Sequence, residues 1–118
     1  MSIDVSRLRA TRKSINGNPF DFQYWRTWLG RMAKELQDAG LEAMPSFNDA
    51  GSKPSSCISA KNGRRGGYFS NWMTGEADFQ VLDFESGRSI VDKMGLIVDD
   101  STFARTFEEF ANALNVDR

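Results

Sequence analysis

The sequence has 118 residues, of which 40% are hydrophobic, 12% aromatic and 26% charged, and its net charge is −1 at pH 7. This length and composition predict one folded domain over residues 1–118 and exclude a wholly disordered chain. No apolar run approaches the roughly 18 residues that a membrane-spanning helix needs. Because no apolar signal-peptide segment follows the charges at the start of the chain, we expect a cytoplasmic protein.

Histidine is absent, and Cys57 is the single cysteine. Because histidine is the side chain whose ordinary pKa lies near neutral pH, its absence excludes a Ser-His-Asp triad, a Cys-His pair and a histidine-containing metal site. Cys57 cannot form an internal disulfide, and its neighbours predict a half-buried thiol on a strand. We therefore expect no catalytic activity, no cofactor and no metal.

The first 18 residues form a basic leader that ends in the turn signal Asn16-Gly17-Asn18. Asn18 before Pro19 predicts the start of a long helix, and Gly40 predicts its end. Apolar residues between them recur at spacings of three and four, which predicts one buried stripe. The stripe consists of Phe22, Trp25, Leu29, Met32 and Leu36.

Two short strands are predicted to follow this helix. Residues 41–47 contain Pro45, which an edge strand tolerates better than a central one. Residues 48–54 have the composition of a loop, residues 55–61 that of a strand, and Asn62-Gly63 that of the next turn.

The clearest strand pattern begins at Gly67, with turn signals at Thr74-Gly75 and at Glu85-Ser86-Gly87, and it predicts an antiparallel meander. A two-residue turn at Thr74-Gly75 would pair Trp72 with Ala77 and Tyr68 with Val81, and would place these side chains in the core. The opposite face would then hold Phe69, Asn71, Met73, Glu76, Asp78, Gln80 and Asp92.

That second face is too polar for a core, while Phe69 and Met73 give it apolar anchors. Such a mixture suits an exposed sheet face or a protein-binding patch. A three-residue turn at residues 85–87 would place Val91 opposite Val81 and Asp92 opposite Gln80.

A second helix is predicted after Asp99-Asp100-Ser101, which matches a helix start. Its apolar stripe consists of Phe103, Phe107, Phe110 and Leu114. Together these elements predict an α+β fold, in which an antiparallel meander of four to five strands carries the long N-terminal helix and the C-terminal helix on one face.

The net charge hides an asymmetry between the two sides of Gly75. Eleven basic residues stand against six acidic ones before it, a balance of +5, whereas four stand against ten after it, a balance of −6. An acidic sheet and C-terminal helix would repel nucleic acid and attract a basic protein. A protein that handles nucleic acid is therefore the expected partner, and the alternative is that the asymmetry reflects only the solvation of the surface.

The segment GGYFSNWMTGEADFQVLDFESGRSIVDKMGLIVDD, residues 66–100, resembles the TriTu-type immunity proteins. These are small bacterial antidotes associated with polymorphic and contact-dependent growth-inhibition toxins. The upstream helix with Trp25 and Trp28 is also similar. The resemblance brings no catalytic motif, and it implies stoichiometric binding that covers the active site of a cognate toxin C-terminal domain.

For a basic nuclease toxin, the resemblance favours carboxylates that stand in for phosphate groups: Glu76, Asp78, Asp83, Glu85 and Asp92. Phe69 and Met73 would add desolvated contact area. The expected partner-binding set is thus Phe69, Asn71, Met73, Glu76, Asp78, Gln80, Asp83, Glu85 and Asp92. Neither a membrane nor direct nucleic-acid contact is expected.

Two other interpretations stay open at this point. A small nucleic-acid-binding or regulatory protein would use the basic residues Arg7, Arg9, Arg12, Lys13, Arg64 and Arg65. A carboxylate enzyme would be centred on Asp78, Asp83 or Asp92.

Overall fold

The computed structural model describes residues 12–114. Helix α1 spans Phe22–Asp38 and helix α2 spans Phe103–Leu114. Between them lie five strands: β1 Glu42–Asn48, β2 Ser55–Lys61, β3 Arg65–Trp72, β4 Glu76–Asp83 and β5 Ser89–Ile97. All neighbouring strands pair antiparallel in the order β1-β2-β3-β4-β5, and both helices pack on one face, which confirms the predicted α+β fold.

The core lies between this face of the sheet and the two helices. The α2 stripe is fully buried as predicted, and Phe22, Trp25 and Leu29 of α1 are buried beside it, whereas Met32 and Leu36 are half-buried at its margin. The two helices meet through stacked rings, with 4.6 Å between the ring centroids of Trp25 and Phe103. Within the described part of the chain, no helix is long and apolar enough to cross a membrane.

Strand β1 lies at one edge of the sheet, as the proline in its sequence predicted. Pro45 pairs with Ile58 of β2, and its missing N–H therefore costs no hydrogen bond to a further strand. Cys57 is half-buried on β2, also as expected. The pairing predicted across the second turn is confirmed, because Val81 pairs with Val91 and Gln80 with Asp92. The three-residue turn at residues 85–87 is wrong, since β4 ends at Asp83, β5 begins at Ser89 and the register shifts between Val81 and Leu82.

The predicted register of the β3–β4 hairpin is wrong by one residue. Phe69 pairs with Phe79, and Tyr68 pairs with Gln80 instead of Val81. The connection has three residues, Met73 to Gly75, and Gly75 adopts a φ of 93°, which suits the last position of a three-residue hairpin turn. Burying a phenylalanine costs no hydroxyl hydrogen bond, whereas a tyrosine at the same place would need a partner for its O–H.

The start of α1 also differs from the prediction. Asp21 is the N-cap, and its Oδ1 accepts a hydrogen bond from the Tyr24 N–H at 3.1 Å. Asn18 is used elsewhere: its Nδ2 donates to Asp99 Oδ2 at 2.9 Å, as does Asn16 Nδ2 at 3.0 Å. Residues 12–18 of the basic leader are thereby held on the start of α2, and residues 1–11 lie outside the described residues.

The Asp99-Asp100 pair joins three segments of the chain. Asp99 Oδ1 accepts hydrogen bonds from the backbone and side chain of Ser101, and the backbone carbonyl of Asp99 accepts from the Phe103 N–H at the start of α2. Asp100 Oδ1 accepts from the Asp21 N–H at 2.8 Å and from Trp25 Nε1 at 2.9 Å. Hydrogen bonds from Ser101, Asn18 and Asn16 hold the pKa of the Asp99 carboxyl well below its usual range.

Replacing Asp99 by asparagine should destabilise the protein by about 2 kcal/mol at pH 7, because an amide turns an acceptor oxygen into a donor. The lowered pKa means that the carboxylate contribution is complete above the ordinary aspartate pKa of about 4 and is lost at lower pH. Urea unfolding of the wild type and Asp99→Asn should therefore differ most at pH 7 and less at pH 3. The exposed Asp38→Asn is the control, and a pH-independent difference would contradict this role.

Asn71 is the unusual member of the core. Its side chain is 0% exposed, and neither Nδ2 nor Oδ1 has a hydrogen-bond partner among the described residues. Because a buried unpaired amide is costly, Asn71→Leu should raise the free energy of unfolding by about 1 kcal/mol. Asn71→Asp, which adds a buried charge of nearly the same shape, should instead lower it. A destabilised Asn71→Leu in thermal and urea unfolding would show that the amide is bonded in solution.

Candidate functional site

The face of the sheet opposite the helices, here called the open face, is covered by neither helix. Because side chains alternate along a strand, the pairing register gives its members. On the central strands β3 and β4 they are Gly66, Tyr68, Ser70, Trp72, Glu76, Asp78, Gln80 and Leu82. Serines 55 and 59 of β2 and Ser46 of β1 share this face, so much of its floor is formed by small polar side chains.

The open face also carries two aromatic side chains. Tyr68 and Trp72 lie on β3 with Ser70 between them, and both are half-buried. The Tyr68 hydroxyl lies 3.9 Å from Met94 Sδ of β5, and Lys53 Nζ lies 5.7 Å from the centroid of the Trp72 ring. Half-buried Tyr and Trp side chains combine large contact area with few rotatable bonds, which is why they are frequent hot spots of protein interfaces.

Two carboxylates on the open face make no ion pair with any residue in the range 12–114: Asp78 and Asp92. Asp78 Oδ1 accepts a backbone hydrogen bond from Gly95 N–H at 2.7 Å, where β5 departs from regular pairing. Asp92 lies opposite Gln80. The negative charge of both groups is therefore available to an approaching partner.

Glu76 differs from these two carboxylates, because it is already neutralised. It forms an ion pair with Lys53 and accepts a hydrogen bond from the Thr74 hydroxyl at 2.9 Å, and these contacts hold its pKa below the usual range. Glu76 thus adds little charge to the open face.

The predicted binding set is divided between the two faces. Phe69 and Asn71 are fully buried beneath the helices, and Met73 packs against the core with Arg12 Nη1 donating to its Sδ at 2.7 Å, so the prediction that these three lie on the exposed face is wrong. The reason is the one-residue register difference, which moves every β3 side chain to the other face.

Two acidic members of the predicted binding set, Asp83 and Glu85, also lie away from the open face. Asp83 pairs with Arg65 on the helix-covered side, where hydrogen bonds led by the Ser86 hydroxyl lower its pKa, and Glu85 lies in the exposed turn beyond it. Glu76, Asp78, Gln80 and Asp92 are the predicted residues that the open face brings together. Tyr68, Trp72 and Met94 belong with them and were missed, although a glycine ending a three-residue turn was a signal for the correct register.

The described residues of the two other interpretations are dispersed, and Arg7 and Arg9 lie outside the described residues. Arg12 lies beside Met73 at one end of the sheet, whereas Arg64 and Arg65 lie at the other end, where Arg65 Nη1 donates to the Ala113 carbonyl. Asp83 lies on the helix-covered face of the sheet, whereas Asp78 and Asp92 lie on the open face. Within the described ranges no group of three His, Cys, Asp or Glu side chains could hold a metal ion.

A comparison with protein families adds an independent finding. The model of the family described as "Immunity protein TriTu" matches residues 23–113, whereas no curated protein matches the chain. The matched range includes the whole sheet and all but the terminal residues of both helices. The chain therefore belongs to the TriTu family of immunity proteins.

Proposed function

We propose that this protein neutralises a cognate toxin domain in the bacterial cytoplasm by binding it one to one through the open face, so that the toxin active site is covered. The observation that carries the proposal is the composition of this uncovered face, which holds Tyr68 and Trp72 together with Asp78 and Asp92, two carboxylates that form no ion pair within residues 12–114. Membership of an immunity protein family supports the role.

The aromatic pair supplies the contact energy in this proposal. The side chains next to both rings on β2 and β3 are small, namely serines and Cys57, and both aromatic residues are half-buried, so part of each side chain is exposed to a partner. Central aromatic hot spots each contribute about 2 kcal/mol or more to such interfaces. Two rings on one rigid strand can also be buried without ordering a loop, which lowers the entropic cost of association.

The carboxylates supply the selectivity. A nuclease binds phosphate groups on a basic surface, and Asp78 and Asp92 would occupy part of that surface as phosphate surrogates. Charges of this kind speed the diffusional encounter with a basic partner and disfavour acidic ones. We therefore infer that the toxin is a nuclease domain, inhibited by occlusion without any chemical step by this chain.

Tyr68→Ala and Trp72→Ala should each weaken binding about 30-fold, which corresponds to about 2 kcal/mol. The measurement is calorimetric titration of a purified toxin C-terminal domain, recovered by pull-down with the tagged protein, together with its nuclease activity, which wild-type protein should abolish at one equivalent. Tyr24→Ala is the matched control, because Tyr24 is 50% exposed on α1, away from the open face. Unchanged affinity of both open-face variants would exclude this surface.

The double variant Asp78→Asn plus Asp92→Asn should lower the association rate severalfold at low ionic strength, while its dissociation rate changes less. The difference from wild type should shrink as salt is added, because screening acts on long-range steering. Glu108→Gln plus Glu109→Gln removes the same charge from α2 and serves as the control. Stopped-flow mixing with the same toxin domain tests this, and equal losses in both double variants would assign the effect to net charge alone.

A further inference from the structure

A groove of about 750 Å³ lies at the end of the open face beyond Tyr68. Its apolar walls are Met44 of β1, Leu82 of β4 and Phe84, which follows β4, and its floor includes Gly66 of β3. Met44 is 68% exposed and Phe84 is 52% exposed, so two large apolar side chains border the groove and face solvent. Ligand and partner sites are commonly concave and lined mainly by apolar side chains.

The position of the Phe84 ring depends on Gly66. A Cβ atom at residue 66 would lie 2.5 Å from Phe84 Cζ and 2.9 Å from Lys61 Cβ, which is too close for either contact. The absence of a side chain therefore allows the ring to lie against β3, and the Phe84 N–H is bonded to the Arg64 carbonyl at 2.8 Å. The position of Phe84 in the groove therefore depends on the glycine at residue 66 and on this backbone hydrogen bond.

The two charged residues that line the groove form an ion pair with each other. Lys61 Nζ lies 3.5 Å from Glu42 Oε2. The groove consequently offers apolar surface without a net charge. An uncharged apolar side chain fits it, because a buried charge would find no free partner there.

The groove is continuous with the surface proposed to bind the toxin. Tyr68 is the next open-face residue after Gly66 on β3, and Gln80 is the neighbour of Leu82 on β4. Two residues along a strand span roughly 6.6 Å. A protein that covers Tyr68 and Asp92 therefore also reaches the groove.

We propose that this groove receives a large apolar side chain of the toxin, carried on the same surface whose basic groups meet Asp78 and Asp92. The proposal rests on the proposed function and deepens it, because it adds a second anchor of different chemistry. The acidic part of the open face sets the rate of encounter, and the groove sets the lifetime of the complex, since most affinity differences between variants of one interface reside in dissociation.

The experiment is a kinetic binding assay of wild type, Met44→Ala and Phe84→Ala against the toxin C-terminal domain recovered by pull-down with the tagged protein. Both variants should dissociate at least 10-fold faster, with an unchanged dependence of the association rate on salt. Gly66→Ala, which displaces the Phe84 ring, should act in the same direction. Ile15→Ala is the control, because Ile15 is 60% exposed on the loop at the opposite end of the sheet.

The outcomes separate the two proposals. If wild type binds and the groove variants dissociate like Ile15→Ala, the groove inference is wrong and the proposed function stands. If wild type does not bind or protect against the toxin, the proposed function fails, and the groove inference fails with it. A wild-type dimer in sedimentation that Phe84→Ala converts to monomer would make a second copy of the chain the occupant and overturn the inference.

Discussion

Phe69 lies at the centre of a cluster of aromatic rings, within 5.9 Å of the ring centroids of Phe79, Phe103, Phe107 and Phe110. This contact joins the middle of the sheet to the C-terminal helix. Because side chains alternate along a strand, fixing Phe69 on the helix side fixes Tyr68 and Trp72 on the other side. The composition of the open face is therefore a direct consequence of how the core packs.

The polar contacts at the end of the sheet complement this aromatic packing. Asp99 and Asp100 hold the segment before α1, the α1 residue Trp25 and the start of α2 in one arrangement. Carboxylates with several donors are strongly bonded and directional, whereas ring contacts tolerate sliding. The aromatic cluster thus provides most of the burial, and the two aspartates set how the helices are placed over the sheet.

The helices and strands were largely predictable, because their signals are local. The spacing of Phe103, Phe107 and Phe110 specifies a buried helical stripe whatever lies beneath it. The face of β3 was not predictable in this way, since Thr74-Gly75 is compatible with a turn of two or three residues. The turn length depends on whether the ring of Tyr68 or that of Phe69 packs against α2. The membership of the open face depends on the same choice, so only its β4 and β5 members, such as Asp78 and Asp92, followed from the sequence.

The N-terminal end of α1 shows the same limit for a different reason. Asn18 before Pro19 is a good local cap, yet its amide is bonded to Asp99, 81 residues away in the chain. Because the Asn18 side chain is bonded to a distant residue, it does not cap α1, and Asp21 is the N-cap instead.

The order of the strands in the sheet is the same as their order in the chain. Every strand pair is therefore closed by a short connection, and the entropy lost in forming each hairpin is small. The packing of Trp25 against Phe103 and the hydrogen bonds from Asn16 and Asn18 to Asp99 join the two ends of the described chain. Contacts between neighbouring segments favour rapid folding. A chain of this topology can reach its folded form soon after synthesis.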